Sequence, residues 1–304
     1  MQFEEHPFPK HVQTIGEKIH IISEKCKLSK HQLIILIIIP FIIIFGQIMS
    51  YISPDESIHN YFTSRGNLIN TYFVKFSWFW TIVTYLNIII NKLRKGSINN
   101  RKFILSISRV LLITLCWYLF TQWFFGPPIM DRVFLLTGGK CVDVDYNKIP
   151  EKIKHLFKLS MSQISNNDNN IDIDIEKELA YSNQISSATC KIYKGKWEGG
   201  HDPSGHVFIL TLSVCLLIVE TIEFYTIEDE IFHNFFNNVI TLNQVLKSPI
   251  FMTMIVVITA LSMLFMTVLK YHSLGEQLAG FSVSVFALWL VNRIIELIGL
   301  NRTS

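Results

Sequence analysis

The sequence predicts an all-α polytopic membrane protein: six transmembrane helices, with one long polar loop between the third and fourth. Half of the 304 residues are hydrophobic, and the mean hydropathy is +0.34. Charged residues make up 17%, below the roughly 25% usual in soluble domains. Several apolar runs reach the ~20 residues needed to cross a hydrocarbon core. The net charge of +3 decides little, because the placement of Lys and Arg sets membrane orientation. No basic domain or aromatic-basic platform is present, which argues against nucleic-acid binding.

Taken in order, residues 1–32 form a polar segment with Lys10, Lys18, Lys25, Lys27 and Lys30; 12–27 reads as an interfacial helix. The length of this segment and the lack of a small-residue cleavage site argue against a signal peptide. Spans 1–3 fall within 33–125. The first covers 33–52 and can kink at Pro40 and Gly46, which membrane helices tolerate. The second, 71–90, opens on an interfacial aromatic cluster (Tyr72, Phe73, Phe76, Trp78, Phe79, Trp80). The third, 103–125, carries Arg109 about one turn in, where it is expected to snorkel outward. The polar loop spans 126–203 and holds the asparagine-rich stretch 165–170. At under 80 residues it is short for an independent domain. Spans 4–6 fall within 204–298, at 204–224, 250–269 and 277–297, with a mixed segment at 228–246. A short tail, 299–304, follows.

The basic N-terminal segment and the basic 91–102 connection place both termini on the cytosolic side by the positive-inside rule. Loop 126–203 then faces outward. Its Cys141 and Cys190 can pair if that face is oxidising. The cysteines show no CxxC spacing, so no zinc site is expected.

The chemistry concentrates where this loop meets the fourth span, at Gly199-Gly200-His201-Asp202-Pro203-Ser204-Gly205-His206. Asp202 or Ser204 can cap the helix, and Pro203 suits a first turn. Free N–H groups at a helix start suit phosphate, and His206 can exchange a proton with a bound phosphate ester. A capped helix with two interfacial histidines is the plainer alternative. The topology sets His272 on the same membrane face, with Glu276 four residues on, where it would share a helix face and orient the ring. His201 reads as a loop residue. Glu220 and Glu223 read as paired or interfacial, as do Arg293 and Glu296.

Pro203-Ser204-Gly205-His206 matches the PSGH element of type-2 lipid phosphatases, and His272-xxx-Glu276 resembles their HxxxD element. The phosphate-clamping arginine motifs of those enzymes are missing. That combination resembles the fungal branch of the fat storage-inducing transmembrane family. It is carried also by Gly126-Pro127-Pro128, Thr137-Gly138-Gly139-Lys140-Cys141 and Tyr271-His272-Ser273-Leu274-Gly275-Glu276.

The resemblance implies a multi-pass enzyme of the endoplasmic reticulum with a lumenal active site. It would cleave fatty acyl-CoA to acyl 4′-phosphopantetheine and adenosine 3′,5′-bisphosphate, supporting lipid droplet formation and lipid balance. His272 would be the nucleophile, Glu276 its orienting carboxylate and His206 the acid, with no metal or cofactor. Ser204, Gly205, Lys140 and Arg132 are the expected substrate-binding residues, with lysines near Trp197 as further sources of charge. The expected partners are acyl-CoA and the bilayer with its neutral lipid. A lipid phosphate phosphatase is one alternative; a non-enzymatic neutral-lipid-binding membrane protein is the other.

Overall fold

The computed structural model describes residues 10–26, 28–53, 61–64, 66–96, 98–122, 127–142, 186–192, 194–225 and 248–297. Several expectations fall outside them: the asparagine-rich stretch, the 228–246 segment, the C-terminal tail, Gly126 and the charged residues Asp55, Glu56 and Arg65. The chain forms two compact units, one of residues 1–114 and 206–304, the other of 115–205.

The larger unit is helical. α1 (Lys10–Cys26) leads to α2 (Lys30–Ile52). Ser29 caps α2 through a reciprocal box in which its hydroxyl accepts from the Gln32 N–H while the Gln32 side chain accepts from the Ser29 N–H. The helix runs on through Pro40 and Gly46. Gly46 is a close-packing position, since an added Cβ would lie 2.6 Å from Val268.

Where one span was expected at 71–90, a π-helical turn (Asn70–Val74) precedes α3 (Ser77–Arg94). α3 continues past the apolar run through Asn91, Lys92 and Arg94. α4 is Asn100–Thr121, α7 Gly205–Phe224, α8 Pro249–Lys270 and α9 Leu274–Leu297. Among the described helices, five are long and apolar enough to cross a membrane: α2, α4, α7, α8 and α9. The chain is therefore a multi-pass membrane protein, and α3 is the expected span that falls short of that measure. Helix α7 starts at Gly205, so Pro203 precedes the first turn instead of occupying it.

α7 is the central helix. Its apolar window is 78% buried, against 28–39% for the other four, as expected of a helix that is hydrophobic all round. α8 packs on α2 and α3, and α9 packs on α2. Side-chain hydrogen bonds tie the layers: Thr81 to Ser213 at 2.8 Å, Ser50 to the Leu269 carbonyl at 2.8 Å, and Asn292 to Gln32 at 3.0 Å. In hydrocarbon such bonds satisfy groups that water cannot reach.

Arg109 corrects the snorkelling expectation. It turns inward, pairing with the fully buried Glu220 of α7 and lying 3.4 Å from Glu223. Ser106 donates to Glu220 at 2.5 Å, and the Tyr85 hydroxyl lies 2.9 Å from Ser106. A carboxylate buried without a cation costs more than ordering the arginine beside it. Pairing of Glu220, and of Arg293 with Glu296 at 2.6 Å, agrees with the sequence reading.

The smaller unit contains α5 (Ile129–Leu136), β1 (Lys140–Val142), α6 (Ser187–Ile192) and β2 (Lys196–Glu198). β1 and β2 pair antiparallel, with Cys141 opposite Trp197. A disulfide joins Cys141 to Cys190. Phe134 stacks on Trp197, their ring centroids 4.2 Å apart.

Candidate active site

The bend between α8 and α9 is the most constrained of the predicted site elements. Tyr271, His272 and Ser273 are its three residues. His272 has φ +67°, a left-handed conformation that costs a non-glycine residue on the order of 1–2 kcal/mol. Gln277, fully buried in α9, holds the bend from beneath. Its Nε2 donates to the carbonyls of Tyr271 at 2.9 Å, His272 at 3.1 Å and Val268 at 3.3 Å. The Tyr271 hydroxyl donates to the Thr63 carbonyl.

Ser273 and Glu276 form a capping box at the start of α9. The Ser273 N–H donates to Glu276 Oε2 at 2.7 Å, and the Glu276 N–H donates to Ser273 Oγ at 3.4 Å. That same Oε2 lies 3.5 Å from His272 Nδ1, within ion-pair range of a charged imidazole. The expected pair therefore forms, by a different route. His272 lies outside the helix, and the bend, not a shared helix face, delivers it to Glu276.

His206 is the second residue of α7 and half-buried. It belongs to the same compact unit as His272. Both rings sit where helices begin or end. Histidines at such positions can carry acid–base chemistry.

The remaining predicted residues belong to the smaller unit. Ser204 is fully buried immediately before Gly205. Arg132 donates from Nε to the Pro127 carbonyl at 2.9 Å. Lys140 sits opposite Glu198 in the strand register. Each of these two cations thus has a neighbour of its own within the unit.

The His201 N–H donates to Thr137 Oγ1 at 2.7 Å, joining the Thr137-Gly138-Gly139 turn to the segment that leads into α7. Only glycine fits at Gly200: its φ is +65°, and an added Cβ would lie 2.6 Å from the Gly139 Cα. Asp131 accepts from the Ser187 N–H at 2.9 Å. Burial, reinforced by the neighbouring Asp202, raises its pKa above the ordinary carboxylate value. Sequence reasoning missed Gln277 and the role of Ser273. The second was detectable as a Ser-x-x-Glu capping signature; a glutamine near the start of an apolar helix carries no such signal.

Fold and site define a polytopic helical membrane protein with one histidine at a helix start and another held in an interhelical bend beside a carboxylate. The profile of the fat storage-inducing transmembrane proteins matches residues 58–292, and the chain belongs to that family. Acyl-coenzyme A diphosphatase fit1 of Schizosaccharomyces pombe is 33% identical over 198 residues, 65% of this chain and 65% of its own length. Acyl-coenzyme A diphosphatase SCS3 of Saccharomyces cerevisiae is 27% identical over 240 residues, 61% of this chain and 63% of its own. Acyl-coenzyme A diphosphatase FITM2 of Xenopus tropicalis is 24% identical over 185 residues, 61% of this chain and 55% of its own. The chain thus spans just under two thirds of the first two relatives and about half of the third. No solved structure matches it.

Proposed function

We propose that this protein is a fatty acyl-CoA diphosphatase of the endoplasmic reticulum membrane, releasing acyl 4′-phosphopantetheine and adenosine 3′,5′-bisphosphate. The observation that carries the reading is the constrained bend at His272. Left-handed backbone strain, a buried glutamine beneath and a carboxylate 3.5 Å from the ring are the features of a preorganised nucleophile. The names of the relatives supply the substrate class.

In this mechanism the His272 imidazole attacks one phosphorus of the diphosphate, and the bridging P–O bond breaks. His206 gives its proton to the departing phosphate oxygen, and water then hydrolyses the phosphorus–nitrogen bond, freeing His272. Glu276 stabilises the positive charge that the ring gains. Ser204 and the N–H groups at Gly205 offer donors to phosphoryl oxygens, in line with a distant relation to the PSGH lipid phosphatases. Lys140 and Arg132 are the proposed sources of positive charge for the phosphate groups. No metal takes part in any of these steps.

Six spans, with both termini cytosolic and loop 126–203 lumenal, complete the reading. α3 is the sixth span, lengthened by its π-helical turn. The Cys141–Cys190 disulfide supports an oxidising compartment for that loop.

The test is hydrolysis of oleoyl-CoA by detergent-purified protein in chelator, with products identified by mass. Wild type is expected to release acyl phosphopantetheine, while His206→Ala and His272→Ala each lose at least ~100-fold in rate. Equal turnover in wild type and both variants would refute the assignment. Inert wild type with active phosphatidate hydrolysis would turn the reading to a lipid phosphatase.

A further inference from the structure

A cleft lies at the other end of the same helices. It has a volume of about 980 Å³ and opens between the end of α1, the start of α2 and the ends of α7 and α9. Glu223 on its wall is 17 residues along α7 from His206, or about 25 Å at 1.5 Å per residue. The cleft is therefore separate from the proposed catalytic histidines.

Its described lining alternates in charge. Lys30, Arg109 and Arg293 are positive; Glu24, Glu223 and Glu296 are negative. Arg109 and Arg293 already have carboxylates at 3.4 Å and 2.6 Å, and Glu220 backs Arg109. Three positive and three negative groups balance in formal charge, with His20 3.7 Å from Glu24, which disfavours a polyanion such as a nucleotide. They suit a ligand that carries both signs.

The lining also discriminates between zwitterions. A quaternary ammonium is held by aromatic faces, and no Trp, Tyr or Phe is among the described lining residues. A primary ammonium instead donates hydrogen bonds to carboxylates, which the cleft provides. Its edge is apolar at Leu297, which is 76% exposed, where acyl chains could continue into the bilayer. Ile21 and Ile22 of α1, 52% and 47% exposed, present apolar surface nearby.

We infer that this cleft binds the headgroup of a phosphatidylethanolamine-type lipid, its phosphate at Lys30 and its ammonium at Glu24. The test is native mass spectrometry of the full chain in detergent. It compares phosphatidylethanolamine, phosphatidylcholine and phosphatidylglycerol of matched acyl chains, with Lys30→Gln and Glu24→Gln beside wild type. Both substitutions sit at the rim and are expected to leave the fold intact. Phosphatidylethanolamine should be retained roughly fivefold better than the other two, the factor that about 1 kcal/mol supplies. Glu24→Gln should bring it down to the phosphatidylcholine level, and Lys30→Gln should lower the retention of all three lipids. Equal retention of ethanolamine and choline lipids overturns the assignment. Preference for phosphatidylglycerol, or phosphatidylethanolamine retention unchanged in either variant, overturns it as well.

Discussion

Gln277 makes no covalent contribution to chemistry, yet it fixes more of the backbone around His272 than any neighbour. Gln277→Leu leaves its carbonyl acceptors without that donor, a loss worth roughly 1–3 kcal/mol at a buried position. The ring should then drift from its working position, lowering kcat roughly 10- to 100-fold with KM near wild type. A rise in KM at constant kcat would assign Gln277 to substrate contact instead. Asp131 gives a second prediction at this scale. Its folded pKa is raised, mainly by burial, so its contribution to stability is fully present below the unfolded carboxylate value. That contribution is lost as pH rises through the folded value. Asp131→Asn keeps an acceptor for the Ser187 N–H and removes the charge. Hydrogen exchange at Ser187 should therefore slow in the variant at neutral pH and should depend less on pH in the mildly acidic range.

Helix by helix, apolar runs were a good guide to where spans lie, and a poor guide to what their polar residues do. Boundaries of α2, α7 and α8 fall within a few residues of expectation, because burial from lipid or protein selects the same residue types. Arg109 and Glu220 are 111 positions apart, and nothing local in the sequence joins them. The start of α3 was lost for a similar reason: Asn67 accepts from the Asn70 N–H at 2.6 Å, and a π-turn follows that no periodicity announces. Arg109→Leu should cost about 3–5 kcal/mol, because it strands a buried carboxylate. Replacing Glu220 with Met in that background should recover most of the loss. Thermal unfolding in detergent measures both, and a double variant no better than the single one would contradict the pairing argument.

Across the whole molecule, orientation is the property that connects site, cleft and substrate supply. Charge bias in the loops gives an expected topology that labelling can test, and the possible Cys141–Cys190 pairing was visible in the sequence, whereas the close approach of Gly139 and Gly200 within the smaller unit was not. Cys26 is free and exposed, whereas Cys215 is buried. In sealed microsomes carrying Cys116→Ala, a membrane-impermeant maleimide should label Cys26 without detergent. Cys141 and Cys190 should react only after permeabilisation and reduction. Labelling of Cys26 only after permeabilisation would invert the topology.

The bond between Cys141 and Cys190 turns the 48 residues between them into a covalent ring whose ends stay 5.8 Å apart at the Cα atoms. Lengthening the connection between bonded ends is cheap, since each doubling of loop length costs only about 0.6 kcal/mol. The ring can therefore accept an inserted epitope or reporter peptide while β1, α6 and the approach to α7 keep their places. That makes it a natural handle for purification or imaging of the working protein.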